Sequence, residues 1–444
     1  MVSQEIPKKL EGYEFYRQVL GSPKYIVAPM VDQSELAFRI LCRRYGSQLI
    51  YTPMINARKF VESAKLRTGF FDMTAGEEGH PDTDRPLMVQ FCANDPEFLL
   101  KAAKMVEKDC DGVDINLGCP QDIARRGHYG SFLQDEWDLI FSLINTLHKN
   151  LAVPVTAKFR IFPTIEKTVE YAKMLERAGA QILTCHGRLR EQRGHNTGLA
   201  SFAHIKAVKE NVSVPVFANG NVLYQEDIET CLRETGCDGV MSAEGILYNP
   251  ALFAGLTEAK GPESVDPDVA LLKLQPSVIS LAKEYLSIVG SLRTHTPYSA
   301  VKGHLFKILR PALMHHIDLR NRLGEIRVII PKGKDRPVDQ PFWATGLETY
   351  LEIVTELGER LKADEERERG GADGETRKSL TELVSVQEET GLKILPWWLA
   401  QPYWRPLPEG TVPGTVPSTG NKRPSEKPVG AEGPEKRPRV DRSS

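Results

Sequence analysis

Asp114-Ile115-Asn116-Leu117-Gly118-Cys119-Pro120 decides the reading of this chain. Alternation along a strand sends Asp114 and Asn116 to one face, with Ile115 and Leu117 on the other. Gly118 lets the backbone turn and Pro120 cannot continue a ladder, so Cys119 is left on a loop at the strand's C-terminal end. A strand end with an inward amide and a presented thiol is where a barrel enzyme keeps its chemistry. A free cysteine is more often a small buried hydrophobe, so Cys119 alone leaves both readings open.

Similar runs lie on both sides. Short apolar stretches at 25–30, 48–52, 86–91, 113–117, 154–160, 181–187, 215–220 and 239–245 are separated by amphipathic segments. In the clearest helix, Thr164 can cap the start and Gly179 can stop the end, with Val169, Ala172, Met174 and Leu175 apolar between them. Eight strands alternating with helices match a (β/α)8 TIM barrel in number and in total length, typically about 250 residues. An open doubly wound sheet uses the same units, but no G-x-G-x-x-G follows the first run, and polar residues end almost every run. The expected division is an N-terminal extension over 1–24 that closes the barrel's bottom, a barrel over 25–260, a smaller all-helical domain over 265–362, and a mostly disordered, charged and Pro/Gly-rich tail over 363–444.

The bulk composition restricts the class. The net charge of the 444 residues is only -2, but Arg293, Lys302, Lys307, Arg310, Arg320, Arg322 and Arg327 gather in one segment that holds only Asp318 and Glu325 as acids. Such a segment is either a solvated helical face or a footprint for a polyanion. None of the seven cysteines is paired as C-x-x-C, so no zinc or redox motif is present and no metal is expected. There is no signal-peptide pattern and no run of membrane-spanning length, so a soluble intracellular protein of cytoplasm, nucleus or both is expected, with no membrane contact and no stable protein partner that the sequence identifies. Lys422-Arg423-Pro424 and Lys436-Arg437-Pro438-Arg439 fit either a nuclear-import signal or a solubilising tail, and the aromatic island Leu395–Trp404 is a candidate to dock on a folded domain.

The C-terminal ends of the eight runs give a coherent ring: Pro29-Met30-Val31, Gln90, Asn116 with Cys119, Lys158 and Arg160, His186 with Arg188, Asn219-Gly220-Asn221, and Ala243-Glu244. A lysine in an apolar strand is expensive to bury without a charge partner, so Lys158 implies an anion or an electron-rich ring at the barrel mouth. Small glycine-containing turns after the last two strands are where barrels hold phosphate. A planar, polar, phosphate-bearing cofactor would satisfy Gln90, Lys158 and both turns, and flavin mononucleotide (FMN) has that shape and charge.

In these motifs the sequence resembles the tRNA-dihydrouridine synthases. The resemblance runs from about residue 25 to 255 and continues weakly into the helical segment. It rests on Ala28-Pro29-Met30-Val31, Val89-Gln90-Phe91, Asp114–Pro120 continuing to Arg125-Arg126-Gly127-His128-Tyr129-Gly130-Ser131, Lys158-Phe159-Arg160, Cys185-His186-Gly187-Arg188 and Ala218-Asn219-Gly220-Asn221. The long stretch from Cys119 to Ser131 looks most like the eukaryotic group acting at tRNA positions 16 and 17. The resemblance implies a flavin barrel followed by a helical tRNA-binding domain, FMN as cofactor, and NADPH or NADH as reductant. By the same resemblance Cys119 is the catalytic acid, and Pro29, Met30, Val31, Gln90, Lys158, His186, Asn219, Gly220, Asn221, Ala243 and Glu244 surround the cofactor. Asn116, Arg126, Arg188, Lys302, Lys307 and Arg310 are the residues expected to face tRNA. Bacterial relatives carry Gly-Arg where this chain has Ala243-Glu244. A glutamate cannot pair with phosphate, so that contact must come from backbone N–H groups or shift to Asn219 and Asn221. Two other functions stay open on sequence alone: an FMN barrel acting on a free pyrimidine or quinone, and a catalytically idle RNA-binding barrel.

Overall fold

The computed structural model describes residues 9–194, 197–256, 266–327, 341–343, 346–370, 376–387 and 392–403. The basic clusters of the tail, Trp404 and the expected boundary near 260 lie outside them. Among these residues nine strands form one parallel sheet: β1 (Tyr25–Val27), β2 (Leu49–Tyr51), β3 (Ile55–Asn56), β4 (Leu87–Cys92), β5 (Gly112–Leu117), β6 (Val155–Ile161), β7 (Leu183–Leu189), β8 (Val216–Asn219) and β9 (Gly239–Ser242). The order β2-β1-β9-β8-β7-β6-β5-β4 is closed by β2 pairing with β4, so eight strands make a barrel, and β3 adds a short continuation of the β2 segment along β4.

Strand parity divides the apolar residues into two cores. Val89, Phe91, Val113, Ile115, Val155, Ala157, Phe159 and Val240 point outward into the large core beneath the surrounding helices. Ile26, Tyr51, Met88, Ile182, Phe217 and Met241 point inward and pack with Phe15, Tyr16 and Leu20 from the N-terminal segment. That segment reaches the strands' N-terminal ends: the Tyr13 and Tyr16 hydroxyls donate to Asp238, and Gly12 N donates to Gln181 Oε1. The lower half of the barrel is therefore a filled apolar plug. The inward positions one layer higher are Gln90, Asp114, Thr156, Lys158, Thr184 and Asn219, so the upper half is polar.

The helix predicted from Thr164 to Gly179 forms as Ile165–Ala178, capped by the Thr164 hydroxyl and stopped at Gly179. Other boundaries differ from expectation. β7 continues past Gly187 to Leu189, beside a register shift at Arg160/Ile161. β9 stops at Ser242, and Glu244 opens a short helix, Glu244–Tyr248, instead of ending a strand.

Beyond the barrel, helices Pro267–Leu274, Val278–Ser291, Tyr298–Ile308, Arg310–His315, Ile317–Glu325 and Glu348–Arg369 follow. The single helical stripe expected over 297–310 breaks at Leu309, because Pro311 lacks the N–H that would extend the ladder. The expected tail boundary at 363 also moves. Glu348–Arg369 crosses it with Leu357, Leu361 and Asp364 on the buried face, and Leu380, Leu395, Trp398, Leu399 and Ala400 are buried further on. Apolar and aromatic residues in that charged stretch find a surface to cover, which composition averaged over eighty residues conceals.

Candidate active site

The Asp114–Pro120 stretch folds as its alternation predicts, with β5 ending at Leu117 and Cys119 on the following loop, partly exposed at the mouth. A chain of hydrogen bonds inside the barrel fixes that loop. Thr156 Oγ1 donates to Asp114 Oδ1 at 2.6 Å and Gln90 Nε2 donates to Asp114 Oδ2 at 2.8 Å. Asn116 Nδ2 donates to Gln90 Oε1 at 2.8 Å, and Asn116 Oδ1 accepts from Gly118 N at 3.2 Å and Cys119 N at 2.9 Å. A carboxylate only accepts, so Asp114 turns the Gln90 amide one way, and Gln90 turns Asn116 in the same sense. Burial drives the Asp114 carboxyl up to about 6, against the opposing pull of Thr156, Gln90 and the Lys158 charge.

From the other side, Ser131 N and Oγ donate to Cys119 O at 3.1 and 3.0 Å. Gly130, at φ +67°, makes that approach possible: a Cβ there would lie 2.8 Å from Cys119 O. Arg160 donates to Gly118 O, Leu189 O and Gln192 O, tying the cysteine loop to the loop after β7. Burial raises the Cys119 thiol, with the Gln121 backbone and the Arg160 and Lys158 charges working against it. The group is thus held as a thiol and not as a thiolate.

Across the mouth, Lys158 Nζ donates to Asn219 Oδ1 at 2.8 Å, and burial with the neighbouring Arg160 charge lowers its ammonium to about 8. The His186 imidazole is pushed well below its ordinary value by burial and then by Arg160, Lys158 and Arg188. Arg188 donates to His186 Nε2 at 3.1 Å, which makes that nitrogen an acceptor and leaves the ring proton on Nδ1. Lys158, Arg160 and Arg188 thus crowd the His186 imidazole with Asp114 as the nearby acid, and Ser242 Oγ, at the end of β9, is buried with no hydrogen-bond partner among the described residues. This excess of positive charge suits an anionic ligand.

The structure does not give every expected residue an open contact. Gln90 is fully buried and Asn116 is 8% exposed, and the two are bonded to each other with Asn116 bonded on to the cysteine loop. Asn219 bonds Lys158 and Met241 O, while Asn221 bonds Ala200 at both backbone atoms and Arg188. Those amide side chains are hydrogen-bonded within the fold, beside the backbone N–H groups of the same turns. Pro29, Met30 and Val31 form the loop after β1, with Met30 N on Ser34 Oγ and Val31 half exposed. Ala243 and Glu244 edge the mouth, and Arg126 is exposed on helix Asp122–Gly127 beside the cysteine loop.

Of the three helical cations, Lys307 and Arg310 line one cleft and Lys302 lies apart from it. Lys302 donates to Gly324 O and Ile326 O, at the C-terminal end of helix Ile317–Glu325. Lys307 donates to Gln33 Oε1 on the loop after β1, and Arg310 lies over the Tyr403 ring. Acids remote in sequence also reach this segment: Glu77 pairs with Arg293 and Glu356 with Arg322. Thr156 and Asp114 were given no role from sequence, although their inward parity with Lys158 and Asn116 was the signal for one.

Comparison with known proteins supplies the remaining link. Residues 26–328 match the family described as Dihydrouridine synthase (Dus). The tRNA-dihydrouridine(16/17) synthase [NAD(P)(+)] of Schizosaccharomyces pombe is 44% identical over 431 residues, covering 96% of this chain and 98% of that protein. Its namesake from Saccharomyces cerevisiae is 46% identical over 404 residues, 90% of this chain and 88% of that protein. A mouse protein, tRNA-dihydrouridine(16/17) synthase [NAD(P)(+)]-like, is 50% identical over 322 residues, 72% of this chain and 62% of that one. With the match running through the whole barrel and into the helices behind it, the chain belongs to the dihydrouridine synthase family.

Proposed function

We propose that this protein is a tRNA-dihydrouridine synthase that reduces the C5–C6 bond of uridines in the D-loop, at positions 16 and 17, with FMN as cofactor and NADPH or NADH as reductant. The observation that carries this is the meeting, at one barrel mouth, of a protonated and rigidly held Cys119 thiol with the cationic cluster of Lys158, Arg160 and Arg188 around a neutral His186. Near full-length similarity to relatives named for positions 16 and 17 supports the choice of uridine.

Lys158 and His186 would hold the flavin ring, and the backbone of Gly220, Asn221 and Ala243 its phosphate. When bound, FMN supplies the hydride that adds to C6 of the uracil. Negative charge then builds at C5, and the Cys119 thiol donates its proton there, leaving a thiolate that is reprotonated from water. Burial keeps that proton on sulfur at neutral pH, the form a general acid needs. Asn116 fixes the sulfur's position through the Cys119 N–H, and Arg188, with its further bonds to Gly198 O and Asn221, is placed to meet charge on the uracil carbonyls. The target base must leave its stack at a cost of a few kcal/mol, which contacts elsewhere on the tRNA must offset.

Cys119→Ala tests the assignment. The variant should stay yellow and oxidise NADPH, yet form dihydrouridine about 10²–10⁴-fold more slowly, the usual contribution of a general acid. Undiminished reduction of tRNA by the variant would remove Cys119 from the reaction. Wild-type protein that cannot be reconstituted with FMN would refute the flavin assignment.

A further inference from the structure

A cleft of about 190 Å³ opens between the short helix Glu244–Tyr248, behind β9, and the helices that carry Phe306, Lys307, Arg310, Met314 and Arg320. It lies beside the barrel mouth, because β9 and β1 are neighbours and Lys307 bonds Gln33 on the loop after β1 at 2.7 Å. Among the described residues three cations and no carboxylate line it, with Glu35 and then Glu244 acting on Lys307 from outside the lining. Its walls are also apolar: Phe306 and Tyr248 contribute rings, and Met314 is 55% exposed.

Arg310 is mounted in an unusual way for a phosphate contact. Its guanidinium carbon lies 3.9 Å from the centroid of the Tyr403 ring, and that ring tilts against Tyr248 with centroids 5.4 Å apart. Tyr403 is delivered there by an anchored segment. Ala400 N donates to Pro276 O, Val278 N donates to Trp398 O, and Trp397 stacks on His315 at 4.3 Å while its indole N–H donates to Asp364. A lysine can meet a phosphate as a point charge, with no ring behind it. A guanidinium held over an aromatic ring in a partly apolar cleft is the chemistry that recognises the face of an unpaired base.

We propose that this cleft binds one unpaired nucleotide of the tRNA next to the target uridine, its base stacked on the Arg310 plane that Tyr403 backs and its phosphate met by Arg320. The proposal rests on the reading that tRNA is the substrate. It separates two roles that a count of positive charges merges, since stacking depends on shape and not on charge.

The test compares Arg310→Lys, Tyr403→Ala and Tyr403→Phe, in the full-length holoenzyme, by tRNA affinity across a salt series and by the KM–kcat split for dihydrouridine formation. Arg310→Lys keeps the charge, so the slope of log K against log salt should not change, while affinity falls roughly ten-fold with the lost stacking. Tyr403→Ala should show the same fall at an unchanged slope, and Tyr403→Phe, which keeps the ring, should restore wild-type affinity. The loss should appear in KM for tRNA. Wild-type affinity in both Arg310→Lys and Tyr403→Ala would overturn the proposal, as would failure of Tyr403→Phe to restore binding despite a wild-type melting temperature. A wild-type holoenzyme that forms no dihydrouridine would instead defeat the tRNA reading itself, so the two failures are distinguishable.

Discussion

A carboxylate accepts hydrogen bonds and cannot donate them, and at Asp114 that one-sidedness travels through Gln90 and Asn116 to the backbone of Cys119. The sign of the pH effect follows from the raised carboxyl. A folded-state value of about 6 against 3.8 means that the stability gained by protonating Asp114 is fully present below about pH 4 and lost as pH rises through 6. Keeping Asp114 ionised at neutral pH thus costs the fold on the order of 3 kcal/mol. Only the ionised form fixes the amide chain, so single-turnover uridine reduction should fall as pH drops through about 6. Asp114→Asn should lose that acid limb and run roughly 10- to 100-fold slow throughout, the scale of a misplaced catalytic group. A wild-type rate and a wild-type acid limb in the variant would disconnect Asp114 from Cys119. Alternation made this site partly legible, since the face shared by Asp114, Asn116, Thr156 and Lys158 follows from parity alone. Which way each amide points was not, because that depends on partners from three different strands.

The helices behind the barrel are joined to it by side chains that the sequence places far apart. Glu35, just before helix Leu36–Arg44, accepts from His304 Nε2 at 3.0 Å and from the Tyr285 hydroxyl at 2.7 Å, and the His304 ring stacks on Phe38 with centroids 4.0 Å apart. Burial pushes the Glu35 carboxyl up, but the His304 charge and these hydrogen bonds outweigh it and hold the group below its ordinary value. Its contribution to stability is therefore present above the ordinary carboxylate range and lost as pH falls through the lowered value. Glu35→Ala leaves a fully buried imidazole without its partner and should cost about 3–5 kcal/mol in chemical denaturation at neutral pH. A loss under about 0.5 kcal/mol would show the junction to be held by packing alone. The apolar stripe of Val301, Leu305, Ile308 and Leu309 was readable and is buried. The meeting of Glu77 with Arg293 and of Glu356 with Arg322 was not, so the basic segment is more nearly neutral in space than along the chain.

At the scale of the whole molecule, the N-terminal segment fills the barrel from below, strand parity changes the interior from apolar to polar halfway up, and the thiol and the cationic cluster lie at the top. The helical region flanks that mouth and is covered by the segment that carries Tyr403. Eight runs with polar ends were enough to predict the barrel, whereas the docking of Trp397 and Trp398 depends on partners from 33 to 120 residues earlier, from Asp364 and His315 back to Val278. Site-resolved mapping of dihydrouridine in tRNA from cells with and without this protein tests the central claim most directly. Dihydrouridine should disappear at positions 16 and 17 when the protein is absent, return with the wild-type chain, and stay missing with Cys119→Ala. Unchanged dihydrouridine at both positions in cells lacking the protein would contradict the account.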